Sequence, residues 1–295
     1  MPYQQSHALT GRAALVTGAN RGLGLEIARA FVAAGGSVML CARDAGPLEV
    51  AGCQMAALAG KGQSVIWLTC DVTDATQIFS VVQQSIQDFG GLQILVNNAG
   101  VYGPFGPIEN VDSSEWARAV EINLLGSVLP TRAVLPHFKA SGYGKIIQIS
   151  GGGATNPLPG ISAYAASKAA VVRFAETVAE ECKEFKIDVN SIAPGLLNTR
   201  LLDEVLAAGP EKVGEQFHSR LVRQKEQGGS SMVHAVELAV FLGSAASDGI
   251  TGKLISALWD EWQAWPAHIE ELRNSDAYTI RRITGRDRGI SWGDK

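Results

Sequence analysis

Seven runs of apolar residues recur along this chain, each followed by a segment of helical character. The runs are Ala13–Thr17, Ser37–Ala42, Ser64–Cys70, Leu92–Asn97, Lys145–Ser150, Asp188–Ile192 and Lys253–Ala257. Several are nearly unbroken in Val, Ile and Leu, as strands covered on both faces tend to be. After the first run, Leu23, Ile27, Phe31 and Ala34 recur at steps of four, four and three. That spacing draws one apolar stripe down a helix, and Gly35-Gly36 ends it. Strand, helix and strand repeated six or seven times require parallel pairing through right-handed crossovers. The expected fold is therefore α/β: a doubly wound, mostly parallel sheet of about seven strands with helices on both faces.

Two stretches break the rhythm. Thr199–Val233 lacks a strong strand, carries charges and contains Gly209-Pro210 and Gly228-Gly229. It is expected to be a helical insertion over the ligand crevice. The stretch after Ala257 holds Trp259, Trp262, Trp265 and Trp292 together with Arg273, Arg281, Arg282, Arg286 and Arg288. The expected organisation is one main domain, 1–257, including the insertion at about 199–233, and an appended tail, 258–295.

Composition narrows the function classes. Hydrophobic residues make up 46% and charged residues 18%, enough for a packed core. A net charge of −4 leaves no basic footprint for nucleic acid. Cys41, Cys53, Cys70 and Cys182 form no C-x-x-C pair and no zinc-like cluster with histidine, so they read as small core residues of a reduced protein without a metal. The N-terminal MPYQQSHALTGR has no basic segment leading into an apolar one, and no run of eighteen apolar residues occurs. A cytoplasmic protein with no membrane partner is expected.

The turn Thr17-Gly18-Ala19-Asn20-Arg21-Gly22-Leu23-Gly24 follows a strand and opens a helix. Its glycines let the backbone turn tightly and approach a pyrophosphate, while the helix N-terminus offers free N–H groups and the positive end of a dipole. The spacing is G-x-x-x-G-x-G. In this setting it predicts dinucleotide binding; the bland reading is an ordinary turn.

Taken in order, T-G-x-x-x-G-x-G at Thr17–Gly24, Asn97-Asn98-Ala99-Gly100, Tyr164-x-x-x-Lys168 and Pro194-Gly195-x-x-x-Thr199 resemble the motif set of the short-chain dehydrogenases/reductases. The resemblance runs from about Leu9 to Ala257. It implies a Rossmann-type fold, a homo-oligomer (dimer or tetramer), a small-molecule substrate and a nicotinamide cofactor. Thr17, Gly18, Asn20, Arg21, Gly22, Leu23, Gly24, Asn98, Ala99, Gly100, Pro194, Gly195, Leu197 and Thr199 are its implied cofactor contacts. Asp71-Val72 match the position that meets the adenine ring, the alternative being a turn at a strand end.

The end of the second strand bears on which nicotinamide. NAD binders of such folds place an acidic residue there for the ribose 2′-OH, whereas a 2′-phosphate needs Arg or Lys. Here Ala42 stands in that place, followed by Arg43. Arg43 and Arg21 together would clamp a 2′-phosphate. Asp44 would offset that charge or cap the next helix. NADP(H) is favoured, with NAD(H) as the alternative and solvated arginines as the bland reading.

Tyr164 and Lys168 lie four apart in the helical segment Ser162–Phe185 and share one face. Hydride transfer at a carbinol carbon requires proton transfer at its oxygen. A free Tyr titrates near ~10, so an adjacent ammonium is expected to lower it by about two to three units, roughly 3–4 kcal/mol. Lys168 is also expected to bind the nicotinamide ribose. Asn123 matches the residue that holds a water in the family's proton relay; a mid-helix Asn bonding its own backbone is the alternative. The family's substrate-orienting Ser falls at Gly151, with Ser150 one residue earlier. Three readings follow: the chain bends and presents Ser150, a backbone N–H of Gly151–Gly153 replaces the hydroxyl, or the reaction is altered.

Tyr102, Phe105, Asn156, Leu158 and the insertion are the candidate substrate contacts, with Gly103–Pro107 a rigid loop beside the crevice. The tail's tryptophans would pack at a subunit interface or stack on a sugar, and its arginines would meet an anion or only water. The expected activity is hydride transfer between a nicotinamide and a polar secondary alcohol or ketone, such as a sugar derivative. A 3-oxoacyl thioester reductase shares every motif, and a non-catalytic cofactor-binding sensor shares the fold.

Overall fold

The computed structural model describes residues 7–197, 200–226 and 231–292. Its strands are β1 (Ala13–Thr17), β2 (Ser37–Ala42), β3 (Val65–Thr69), β4 (Ile94–Asn97), β5 (Gly144–Ile149), β6 (Ile187–Ala193) and β7 (Leu254–Ser256). They form one sheet in the order β3-β2-β1-β4-β5-β6-β7. All six pairings are parallel. The strand order reverses between β1 and β4, where such sheets open a ligand crevice at the strands' carboxyl ends.

The crossover helices are α1 (Gly22–Ala33), α2 (Ala45–Ala56), α3 (Ala75–Phe89), α4 (Ser113–Val120), α5 (Gly126–Ser141) and α6 (Ser162–Cys182). Between α4 and α5 the chain widens into a π turn, Glu121–Leu125. Short polar side chains start several of these helices. Asp74 accepts from Thr76 N and Gln77 N at the start of α3, and Asp112 accepts from Ser114 N and Glu115 N at the start of α4. Gly90 and Gly142, at φ 71° and 65°, close α3 and α5 in the left-handed conformation.

Each face of the sheet carries its own core. One joins Ile27 and Phe31 of α1 to Val16, Leu40, Val96 and Ile147, and is completed by α10 (Val233–Gly243). The opposite core joins Leu15, Met39, Leu95 and Ile146 to α3, α5 and α6 through Val82, Phe138 and Val178. The insertion folds as α7 (Arg200–Ala208), α8 (Pro210–Val213) and α9 (Glu215–Glu226). Leu202, Val205, Val213 and Leu221 make a third cluster with Ile161.

Of the cysteines, Cys41, Cys70 and Cys182 are buried but Cys53 is exposed, contrary to a uniformly internal set; all four are free thiols. Among the described residues no helix is long and apolar enough to cross a membrane.

The tail does not reach outward for its core contacts. Trp262 and Trp265 are buried in the first core of their own chain, so those two do not serve a subunit interface, whereas Trp259 and Trp292 are exposed. Beyond α11 (Ile269–Arg273) the chain returns along the outer edge of β7. Leu254 N donates to Tyr278 O at 2.7 Å, and Lys253 Nζ donates to Ser275 O and Ala277 O at 3.1 and 2.9 Å. Glu176 of α6 accepts from Ile280 N at 2.7 Å. The edge strand's free backbone groups are thereby covered in cis.

Candidate active site

A cleft of about 1930 Å³ lies over the carboxyl ends of the strands. Gly18 and Gly22, at φ 64° and 58°, turn the chain from β1 into α1 in a conformation that costs a side chain dearly. No side chain caps α1, so its first N–H groups open onto the cleft. Thr17 is buried behind this turn. Its Oγ1 accepts from Asn98 N and Ala99 N at 3.0 and 3.1 Å, tying the β1 turn to the end of β4. Asn98 Nδ2 donates back to Thr17 O and Gly18 O. A Cβ at Gly24 would fall 2.3 Å from Asn98 Nδ2, so only glycine lets α1 approach this closely. Donors, glycines and an uncapped dipole end suit an elongated anion such as a dinucleotide's pyrophosphate.

Gly18, Asn20, Arg21, Gly22, Leu23, Arg43, Asp71, Val72, Asn98, Ala99, Gly100, Pro194, Gly195 and Leu197 all line the cleft. Thr17 and Gly24 stand behind it, and Thr199 lies outside the described residues. At the far end of β2, Asp44 does not cap α2; its carboxylate meets Arg21 at 2.9 Å in a half-exposed ion pair. Arg43 is exposed at the rim. The Asp71 carboxylate accepts from Thr73 and pairs with Arg118 at 3.0 Å. Burial pushes its pKa up, but those partners and Arg43 outweigh it and hold the group below its ordinary value.

Asn123 occupies the π turn and is fully buried. It does not bond its own backbone. Its Oδ1 accepts from Val101 N at 2.8 Å, and its Nδ2 donates to Val101 O at 2.9 Å and Ser167 Oγ at 2.8 Å. The side chain thus fixes the loop after β4 to α6, one residue from Lys168. Lys168 donates to Ile149 O at 2.7 Å.

Tyr164 lies one turn before Lys168, whose Nζ is 5.7 Å from the Tyr164 ring centre. The Tyr102 ring covers Tyr164 at 4.5 Å. Burial raises the Tyr164 pKa, and Tyr102 adds to the rise. Burial likewise pushes Lys168 down to about 8. The sequence expectation that Lys168 lowers Tyr164 therefore fails for the chain by itself. The ammonium donates to a carbonyl, not to the phenol, and desolvation governs both groups.

Gly151 holds the place of the usual serine. Its ideal Cβ would lie 2.4 Å from the Tyr164 hydroxyl, so the phenol occupies the room a side chain would need. Ser150 continues the β5 ladder, its N–H donating to Ile192 O at 2.8 Å. Ser150 lines the cleft, but its hydroxyl is buried and has no hydrogen-bond partner. The strand does not bend here, and Ser150, Gly151 and Gly152 all line the cleft, so the hydroxyl and the glycine backbone both stand beside Tyr164 as donors.

Tyr102, Asn156 and Leu158 line the substrate half of the cleft, whereas Phe105 packs into the lid cluster instead. Burial, with Glu204 nearby, raises Tyr102 to about 12. Sequence reasoning missed Leu258, Asp260, Tyr278 and Thr279, which line the cleft together with Trp259, one of the tail tryptophans read as an interface or sugar-stacking residue. Nothing local in the tail marks them, because their position depends on the return along β7. From the lid, α9 contributes Arg220, Arg223 and Gln224.

Residues 12–208 match the family model described as short chain dehydrogenase. The chain is 33% identical over 264 residues to the D-beta-hydroxybutyrate dehydrogenase of Cupriavidus necator, covering 88% of this chain and 99% of the relative. Its fold is similar to that of an NAD+-bound xylitol dehydrogenase, with a TM-score of 0.76 and 27% identity over 84% of this chain and 98% of the other. It is also similar to a gluconate 5-dehydrogenase from Burkholderia cenocepacia J2315 in complex with NADP and tartrate, with a TM-score of 0.75 and 28% identity over 86% and 96% of the two chains.

Proposed function

We propose, from the premise that this chain belongs to the short-chain dehydrogenase/reductase family and is an NAD(P)-dependent oxidoreductase, that it interconverts a polar secondary alcohol and its ketone with Tyr164 as the proton-transferring group. The observation that carries this reading is convergence. The Tyr164 hydroxyl, Lys168 and the uncapped N-terminus of α1 open on one cleft. The hydroxybutyrate, xylitol and gluconate named for the relatives support a hydroxy acid or sugar derivative as the substrate class.

The cleft's glycine turn and the Asn98–Ala99–Gly100 strand end would hold the cofactor, with Arg43 and Arg21 favouring NADP(H) by meeting a 2′-phosphate. When bound, the nicotinamide supplies the hydride donor or acceptor and, oxidised, a positive charge. Tyr164 gives its proton to the carbonyl oxygen in reduction and takes it from the hydroxyl in oxidation. Burial keeps the phenol protonated, which suits the acid role in reduction. Lys168, pinned by Ile149 O, positions the polar groups beside it. With no side chain at 151 and the Ser150 hydroxyl buried, the backbone N–H groups of Gly151–Gly153 take the place of the missing hydroxyl donor.

NADPH consumption with a panel of keto acids, ketoses and 3-oxoacyl thioesters tests the reading. Tyr164→Phe is expected to lose about 10²–10⁴-fold in turnover while still binding NADPH. Bound NADPH with no turnover on any panel member would favour the non-catalytic sensor, and a strong thioester preference the acyl reductase.

A further inference from the structure

The C-terminal extension enters the cleft in cis. After α11 the chain runs back along β7, and Leu254 N, Lys253 Nζ and the Glu176 carboxylate hold the segment around Tyr278 from three sides. Tyr278 sits at φ 61°, a left-handed conformation that costs a non-glycine residue of order 1 kcal/mol or more. Its ring stacks on buried Trp265 at 4.4 Å between centres. A strained residue fixed this heavily has a set direction, and Tyr278 and Thr279 line the cleft. Trp259, 84% exposed, and Asp260 belong with them to the lining that the extension gives the cleft. Leu258 joins this wall over the loop that follows β6, where a Cβ at Gly195 would lie 2.5 Å from it.

This wall has one chemical character. Trp259 presents a bare indole face. One oxygen of Asp260 accepts from Ser256 N at 2.7 Å, leaving the other to accept a hydroxyl. The Tyr278 hydroxyl can give or take a hydrogen bond. An aromatic face with adjacent hydroxyl acceptors fits a polyhydroxylated carbon chain or ring, whose C–H faces pack on the indole while its hydroxyls meet the polar groups.

We propose that Trp259, Asp260 and Tyr278 form a specificity subsite, supplied by the extension, for the polyhydroxylated part of the substrate distal to the reacting carbon. The inference rests on the oxidoreductase reading for its place beside a reacting centre, and its test keeps the two apart. D-sorbitol serves as the polyhydroxylated probe and cyclohexanol as the mono-alcohol probe, both with NADP+ on the full-length protein. Trp259→Ala, at an exposed position, and Tyr278→Phe, which keeps the ring on Trp265, are expected to lower the sorbitol-to-cyclohexanol ratio of kcat/KM tenfold or more through KM for sorbitol. Trp292→Ala, an exposed tail tryptophan outside the cleft, is expected to leave that ratio unchanged. Saturation-transfer NMR supplies a readout without turnover: sorbitol signals are expected with wild type and lost in the Trp259→Ala/Tyr278→Phe double variant. Cyclohexanol turnover with no sorbitol contact, or with equal contact to wild type and double variant, overturns the subsite and leaves the oxidoreductase reading standing. Sorbitol contact that depends on Trp259, with no NADPH consumed on the carbonyl panel, upholds the subsite and overturns Tyr164-dependent turnover instead.

Discussion

The Tyr164 hydroxyl lies where the side chain of residue 151 would begin: an ideal Cβ on Gly151 comes within 2.4 Å of it. Tyr164 and a side chain at 151 are thus mutually exclusive in this geometry. Gly151→Ser is expected to reduce turnover about as much as Gly151→Ala, by tenfold or more, since shifting a reacting group by about 1 Å costs up to about 10²-fold. Ser150→Ala should retain turnover within about threefold, because the Ser150 hydroxyl is buried and makes no hydrogen bond. Steady-state kinetics on the three variants decide. Higher activity in Gly151→Ser than in wild type would mean that a missing hydroxyl, not displaced geometry, limits this site.

Lys168 carries a stability cost that depends on pH. Burial holds its folded pKa at about 8, against 10.5 ordinarily. Between those values the unfolded chain binds a proton that the folded chain does not, so stability rises with pH across that window; below about 8 the full penalty remains. The difference corresponds to about 3 kcal/mol. Urea unfolding of cofactor-free wild type and Lys168→Met, compared at pH 7.5 and 10.5, should show wild type gaining that amount relative to the variant. Parallel pH profiles would show that Lys168 is not desolvated.

The rim of β2 makes an asymmetric prediction about cofactor choice. Arg43→Ala should weaken NADPH about tenfold more than NADH, the worth of a charge-assisted bond of about 1.5–3 kcal/mol. Asp44→Ala frees Arg21 from a half-exposed pair worth about 0–1 kcal/mol, so NADPH should tighten by no more than about fivefold. Fluorescence titration with both nucleotides reads the two ratios. Equal losses for NADPH and NADH in Arg43→Ala would remove the 2′-phosphate role.

At the opposite end of the sheet, Lys145 is buried against Asp188 at 2.6 Å and Asp248 at 2.7 Å. Lys145→Met would strand the Asp188 carboxylate and should cost about 3–5 kcal/mol. Burial already raises the Asp188 pKa in spite of Lys145. A carboxyl with a raised folded pKa loses stability as pH rises, so the cost of Lys145→Met should shrink toward pH 4. Adding Asp188→Asn should recover part of it at neutral pH. Denaturant midpoints that move by less than about 1 kcal/mol would show that the pair contributes little.

Most of the scaffold was legible before folding. Apolar runs fix strand positions to within two residues, and the repeated crossover fixes parallel pairing, because both follow from local periodicity and chain handedness. The glycine turn and the Tyr164–Lys168 spacing were legible for the same reason: each is set within a single turn of backbone. The fate of Asp44 was not, since its partner Arg21 lies 23 residues away.

Sequence alone, then, determined the doubly wound sheet, the phosphate-type turn and the pairing of Tyr164 with Lys168 on one helix face. Only the tertiary structure decided how those groups titrate, that the Ser150 hydroxyl is left without a partner, and that Tyr278 joins the cleft more than a hundred residues from Tyr164. The physical reason is range. Helix and strand periods are written in neighbouring residues, whereas desolvation, cleft walls and the room left by Gly151 depend on which distant segments pack against them.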